Sequence, residues 1–248
     1  MLEAYALTDI GRKRAENQDY IFSSTDPVGA MPGLFVLTDG MGGHRAGSFA
    51  SRYLVESMVD FVSHTAVTNA SRVLTSALRL SNTLIHGRSN SNPELEGMGT
   101  TLVAAIIQED HLTVQNVGDS RLYLISGGIR QITRDHSYVE EMVSRGLMVR
   151  GSAEYNKRKN IITRAVGVES RVQADLFEEK LKDGDYILMC SDGLTNMVDD
   201  DSIYSIISGN GSIRYKVNTL IETANDNGGK DNIAVILIRY RKDGDMDV

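Results

Sequence analysis

Apolar residues recur along this chain in two rhythms. Leu34-Phe35-Val36-Leu37-Thr38, Thr101 to Ile107, Tyr186 to Cys190 and Ile233 to Ile238 are nearly unbroken apolar runs of strand length. Leu112 to Val117 instead alternates leucine and valine with polar residues, and Glu3 to Thr8, Arg121 to Ile125 and Ile129 to Ile132 read as further short strands. Gln108-Glu109-Asp110, Gly118-Asp119-Ser120 and Gly127-Gly128 separate neighbouring runs, and such tight turns predict antiparallel hairpins. The final run is expected to pair with a strand far away in sequence. Helical spacing predicts helices over Ser48 to Phe61, Ala66 to His86, Ser202 to Ile207 and Ile213 to Ala224.

Strands thus fill the middle and both ends of the chain, while helices arrive mostly in pairs. That order favours an α+β fold, antiparallel sheets covered by outer helices, over a parallel doubly wound sheet. No linker or internal repeat divides the sequence. Residues 1–242 are expected to form a single domain, with soft spots at Ser89-Asn90-Ser91-Asn92-Pro93 and around Gly151-Ser152-Ala153-Glu154. The short polar tail over 243–248 is expected to fray.

Composition narrows the function. With 41% hydrophobic residues, the 248-residue chain can bury a sizeable core and is no disordered polyelectrolyte. Its net charge of −7 argues against a general nucleic-acid binder, which needs a basic surface. One cysteine excludes both an internal disulfide and a cysteine-rich zinc module. No stretch approaches the roughly 20 apolar residues that cross a bilayer, and Met1-Leu2-Glu3 does not begin a signal peptide. A cytoplasmic protein without membrane insertion is the expectation.

The informative chemistry lies where aspartate meets glycine at strand ends. Asp39-Gly40-Met41-Gly42-Gly43-His44 follows one apolar run, Ser191-Asp192-Gly193 another, and Asp231-Asn232 precedes the last. Gly118-Asp119-Ser120 lies between two more. Any one Asp-Gly pair is ordinarily just a turn. Several at the ends of strands in one sheet system could gather four carboxylates around a cleft and hold hard divalent cations.

The ordered set resembles the metal-dependent protein serine/threonine phosphatases, the protein phosphatase 2C family, in their compact bacterial form. The matching stretches run from Thr8-Asp9-Ile10-Gly11 and Arg14-Ala15-Glu16-Asn17-Gln18-Asp19 through Thr38 to His44, Gly99-Thr100-Thr101 and Asn116 to Arg121. They continue through Thr133 to Ser137, Asn160 to Gly167, Ser191 to Leu194 and Asp231-Asn232. The resemblance implies a four-layer α-β-β-α sandwich, two central antiparallel sheets flanked by helices. It implies hydrolysis of phosphoserine and phosphothreonine on proteins, with manganese or magnesium as two core ions and a third. In that scheme Asp39 bridges the core ions, Asp192 and Asp231 bind the first, and Gly40 offers its backbone carbonyl to the second. Asp119 binds the third ion together with Asp192, and Arg14 holds the substrate phosphate. Gln18 and Asp19 support water around the ions.

Two positions depart from the family pattern. Gln18 stands where glutamate is common, which weakens the charge but leaves hydrogen bonding intact. Ser48 replaces a glutamate common in bacterial relatives and is read as a helix cap. Residues Ser144 to Lys159 resemble the family's variable flap.

Rival chemistries fit less well. Cys190 ends an apolar run and no arginine follows in Ser191-Asp192-Gly193-Leu194-Thr195, so it reads as a buried structural thiol, not a phosphatase nucleophile. Gly40 to Gly43 lacks the Lys-Ser/Thr ending of a nucleotide-binding loop. His44 and His136 are candidate proton donors, but neither position compels that job, and the general acid stays unassigned. The resemblance also implies partners: phosphorylated proteins, the targets of a bacterial serine/threonine kinase, and that kinase itself. The enzyme is expected to be a monomer.

Overall fold

In the computed structural model, which describes residues 1–42 and 46–242, two antiparallel sheets lie face to face between helical layers. His44 and the tail over 243–248 lie outside the described residues. One sheet runs in the order β1 (Leu2–Asp9), β11 (Ile233–Tyr240), β10 (Tyr186–Cys190), β7 (Arg121–Ile125) and β8 (Ile129–Gln131). The other orders β2 (Asp19–Ser24), β3 (Leu34–Met41), β5 (Leu102–Gln108), β6 (His111–Val117) and β9 (Asp175–Lys180), and the two-residue β4 (Gly99–Thr100) pairs with the end of β3. Helices α1 (Ala46–His64) and α2 (Ala70–Ser91) cover the second sheet. The first is covered by α5 (Asp192–Thr195), α6 (Asp200–Ser208) and α7 (Ile213–Asp226).

Four layers make three apolar seams, which explains why the central strands are apolar at consecutive positions. Successive side chains of a strand point to opposite faces. In β11, Ala234, Ile236 and Ile238 meet Phe35, Leu37, Val103 and Ala105 between the sheets. Its alternate residues Ile233, Val235 and Leu237 pack on Val217, Leu220 and Ile221 of α7. Likewise Leu34 and Val36 of β3 turn outward onto Leu54 and Met58 of α1. As expected, β11 finds a distant partner: it pairs with β1 along its whole length, Leu2 opposite Tyr240 and Asp9 opposite Ile233.

The structure corrects the sequence reading in several places. The turn Gly118-Asp119-Ser120 is not a hairpin, because β6 and β7 belong to different sheets. The chain crosses there from one sheet to the other. True hairpins join β5 to β6 through Glu109-Asp110, with Glu109 at φ 56°, and β7 to β8 around Gly127-Gly128. Ser48 is the third described residue of α1, inside the helix and not at the position preceding it. Helix α2 begins at Ala70, later than Ala66, because the Asn69 side chain accepts from Arg72 N at 2.9 Å and sets the cap there. It runs on to Ser91, absorbing part of the expected soft spot. The flap over Ser144 to Lys159 holds the short helix α4 (Ala153–Arg158), capped by Ser152, and α3 (Tyr138–Ser144), capped by Ser137, leads into it. Among the described residues, no helix is long and apolar enough to cross a membrane.

Candidate functional site

One end of the sandwich collects the aspartates singled out in the sequence. Asp39 lies on β3, two residues before that strand ends; Asp192 opens α5 directly after β10; Asp231 precedes β11. Asp119 sits on the crossover between the sheets. All four line one cavity of about 320 Å³, together with Arg14 and Gly40. The sheets thus contribute jointly, because every strand bearing one of these residues has that end at the same edge.

Glycine beside aspartate serves close packing here. A Cβ on Gly40 would stand 2.1 Å from the Gly47 carbonyl oxygen, and one on Gly193 would stand 1.9 Å from that of Asn232. Neither glycine has a positive φ, so neither is required by a turn. They let the start of α1 press against the end of β3, and α5 against the start of β11. Larger residues would hold the carboxylates apart.

The cluster is electrostatically incomplete. Burial, then the charges of Asp19 and Asp192, hold the Asp39 carboxyl well above its ordinary value. Burial followed by repulsion from Asp192 and Asp135 pushes Asp119 up to about 7. Burial and the charge of Asp231 push Asp192 up to about 6. Asp19, opposite Asp39 in the β2–β3 ladder, is raised by burial to about 8, even though it accepts a hydrogen bond from Ser191 Oγ at 2.7 Å. Its other oxygen, Oδ1, is buried with no hydrogen-bond partner among the described residues.

Polar side chains that the sequence reading left without roles hold this frame. Asn232 is the busiest: its Nδ2 donates to the carbonyls of Ile10 (3.0 Å) and Glu16 (2.9 Å), and its Oδ1 accepts from Gln18 N (2.9 Å). It thereby seats the loop that carries Arg14. Thr101 Oγ1 accepts from Asp39 N at 2.9 Å, and Thr100 Oγ1 donates to Asp39 O at 3.0 Å. Ser191 Oγ also accepts from Ala234 N, joining β10 to β11 behind Asp19. All four lie inside stretches singled out as motifs; only the three-dimensional pairing gives them work.

Arg14 reaches the cavity mouth, where Nη2 donates to Asp231 Oδ2 at 2.7 Å while half of the side chain stays exposed. Gln18 lines the same cavity and its side chain lies across Gly47. From the segment that follows α4, Asn160 and Ile162 enter the cavity, and Lys159 lies beside Asp119 and Asp192 in an adjoining one of about 160 Å³. His136 stands apart. Its Nδ1 accepts from Gly118 N at 3.1 Å and its Nε2 faces Asp175 Oδ2 at 3.2 Å, so the buried ring braces the crossover. Cys190 packs in the seam between the first sheet and its helices, where burial pushes its thiol pKa far up. That orientation removes it from the cavity chemistry.

A hard cation fits this donor set. Among the described residues, no three His, Cys, Asp or Glu side chains close into a cage around a single point. They stand instead around the water-accessible cavity of about 320 Å³. Hydrated divalent ions, which keep water in their coordination shell, suit such spacing. The crowded carboxylates and the orphaned Asp19 Oδ1 both call for positive charge and for water donors.

Comparison with known proteins gives the same answer. A profile of the protein phosphatase 2C family matches residues 11–237. The serine/threonine phosphatase stp of Listeria monocytogenes is 40% identical over 238 residues, which is 93% of each chain. The crystal structure of the serine/threonine phosphatase Stp1 from Staphylococcus aureus superposes with a TM-score of 0.90 at 35% identity, covering 97% of this chain and 96% of that one. The catalytic domain of the serine threonine protein phosphatase PstP, in complex with 2 manganese ions, gives 0.84 at 32% identity, covering 96% of this chain and 97% of that one. Motif order, four-layer architecture and carboxylate-lined cavity agree with these matches: the chain belongs to the protein phosphatase 2C family, as a metal-dependent bacterial serine/threonine phosphatase.

Proposed function

We propose that the carboxylate-lined cavity hydrolyses phosphoserine and phosphothreonine on proteins, using manganese or magnesium. The observation that carries this reading is the convergence of Asp39, Asp119, Asp192 and Asp231 on one cavity with Arg14 at its mouth. An anionic pocket repels a phosphate dianion unless cations reverse its charge. Divalent ions, when bound, supply that reversal and lower the pKa of water, making a nucleophile available at neutral pH.

Within this chain, Asp39 is assigned to both core ions, Asp192 and Asp231 to the first, and the Gly40 carbonyl to the second. Asp119 is assigned with Asp192 to a third. Asp19 and Gln18 would support water around them, and Asp19 Oδ1 has no hydrogen-bond partner among the described residues. Arg14 has a planar fork of donors, one of which holds Asp231. The remaining donors are assigned to the phosphate oxygens, so the same guanidinium ties the substrate to a metal-binding carboxylate. No general acid is assigned, and His136 is held in its brace by Gly118 N and Asp175.

Residues 1–242 act as one domain, and the protein works in the cytoplasm as a monomer. Its substrates are proteins phosphorylated by a bacterial serine/threonine kinase, and the kinase itself. Phosphate release from a phosphothreonine peptide tests the reading. Native protein should require added manganese or magnesium, and Asp192→Ala should lose at least roughly 10³-fold in kcat/KM, since a metal's charge stabilisation is worth several kcal/mol. Equal rates with and without metal would reject it.

A further inference from the structure

The catalytic cavity does not end at the carboxylates. Met41 and Ile162 line both it and a second trough of about 470 Å³. Arg171 and Val172 in turn line both that trough and a third of about 550 Å³, walled by α2 and by the segment leading into β9. Each of these two spaces is larger than the catalytic cavity itself. A single phosphorylated side chain needs none of this extension, whereas a polypeptide passing through the site does.

Charge along the extension runs against that of the molecule. The chain carries a net −7. Yet the charged residues lining the two troughs are three arginines, Arg79, Arg164 and Arg171, and one carboxylate, Glu169. Arg164 is already compensated, with Nη1 at 3.2 Å from Asp175 Oδ1. Arg79 and Arg171 are exposed, and among the described residues neither guanidinium makes a hydrogen bond or ion pair. Two uncompensated guanidinium groups on one acidic protein, set along a channel that opens into its active site, complement acidic side chains. Apolar Val168 lines the nearer trough and Leu176 the farther one, each 45% exposed.

We propose that this track docks the residues flanking the phosphoresidue and selects protein substrates that carry acidic side chains there, with Arg171 and Arg79 as the specificity determinants. The proposal rests on the phosphoprotein reading above and adds which phosphoproteins the site prefers. Exposed pairs of this kind are individually weak, so two of them imply a preference of about tenfold and one that salt reduces.

Three phosphothreonine peptides of otherwise identical sequence test it: glutamates before the phosphothreonine, glutamates after it, or glutamine at all those positions. With manganese present, kcat/KM for one glutamate peptide should exceed that of the glutamine peptide by about tenfold, chiefly through KM. In Arg171→Glu and Arg79→Glu that advantage should shrink to about twofold or less, and Arg171→Gln should fall between. Hydrolysis of p-nitrophenyl phosphate, which has no flanking residues, should stay at the native rate and shows that each variant is folded. No preference in the native protein, or a preference that survives in both charge-reversed variants, overturns the proposal. Fluorescence anisotropy with labelled peptides separates this from the underlying reading. If no peptide is dephosphorylated, the phosphoprotein reading fails. The track still stands if the glutamate peptide binds more tightly and Arg171→Glu removes the difference, and it falls if all peptides bind alike.

Discussion

Strand β6 ends in an aspartate-bearing turn at each end, and the two turns behave oppositely. Asp110 closes the hairpin from β5, where the chain returns within one sheet. Against a desolvation that pulls upward, the Lys180 ammonium at 3.4 Å and His111 at 2.8 Å hold the Asp110 carboxyl below its ordinary value. Asp119 sits where the chain leaves one sheet for the other, and burial beside Asp192 and Asp135 pushes it up to about 7. One carboxylate is solvated and paired with the Lys180 ammonium, with the His111 ring beside it. The other is buried beside Asp192 and Asp135, whose repulsion outweighs the attraction of Arg121. Turn chemistry alone would give both the same role; what separates them is whether the turn lies in a sheet or between sheets.

The largest effect that could break this contrast is at the arginine facing the buried end. Arg14→Ala should lower kcat/KM on a phosphothreonine peptide roughly 10²-fold, because a bidentate phosphate contact disappears while no carboxylate is lost. Its ion pair with Asp231 adds a condition. Manganese affinity, measured by calorimetry, should not weaken, since the competing cation has gone. Unchanged kinetics would remove Arg14 from the site.

Next comes the pair of turns. Asp119→Ala should reduce turnover about tenfold, the scale expected when a supporting ligand is lost and the core ions remain. Asp110→Ala should leave turnover at the native rate. Equal losses in the two variants would erase the distinction between the two ends of β6.

Removing metal should expose the charge imbalance as a pH dependence. Asp192, Asp119 and Asp19 have folded values of about 6, 7 and 8, above the ordinary carboxylate range near 3.9. Between those limits the folded metal-free protein binds more protons than the unfolded chain, so its stability falls as pH rises. The stabilisation is complete below about pH 4, is lost most steeply between about pH 4 and 6 where all three groups contribute, and is gone above about pH 8. Melting temperatures at pH 5, 6.5 and 8 with chelator present should decline in that order, and manganese should reverse the decline at pH 8. A metal-free melting temperature that rises with pH would contradict the carboxylate crowding.

How much of this was legible in the sequence depends on where the signal sits. β3, β5, β10 and β11 announced themselves, because burial on both faces demands consecutive apolar residues. β2 and β9 did not; Asp175-Leu176-Phe177-Glu178-Glu179-Lys180 has one half-buried face and one exposed face. Glycines flag Asp39, Asp119 and Asp192 in the sequence, where such a pair ordinarily reads as a turn. Gly40 and Gly193 instead mark backbone contacts to Gly47 and Asn232, which no local pattern encodes. The crossover at Asp119 reads as a hairpin in the sequence because a short Gly-Asp-Ser segment between strands looks the same in either case. Asn232, tied to residues more than two hundred positions away, had no local signature beyond its neighbour Asp231.

Diffraction at the manganese edge from crystals soaked in that ion tests the central claim most directly. Asp39, Asp192 and Asp231 should surround the strongest anomalous density, and a weaker peak near Asp119 and Asp192 should vanish in Asp119→Ala while the core peaks persist. A well-occupied manganese site whose ligands exclude Asp39 would contradict the account.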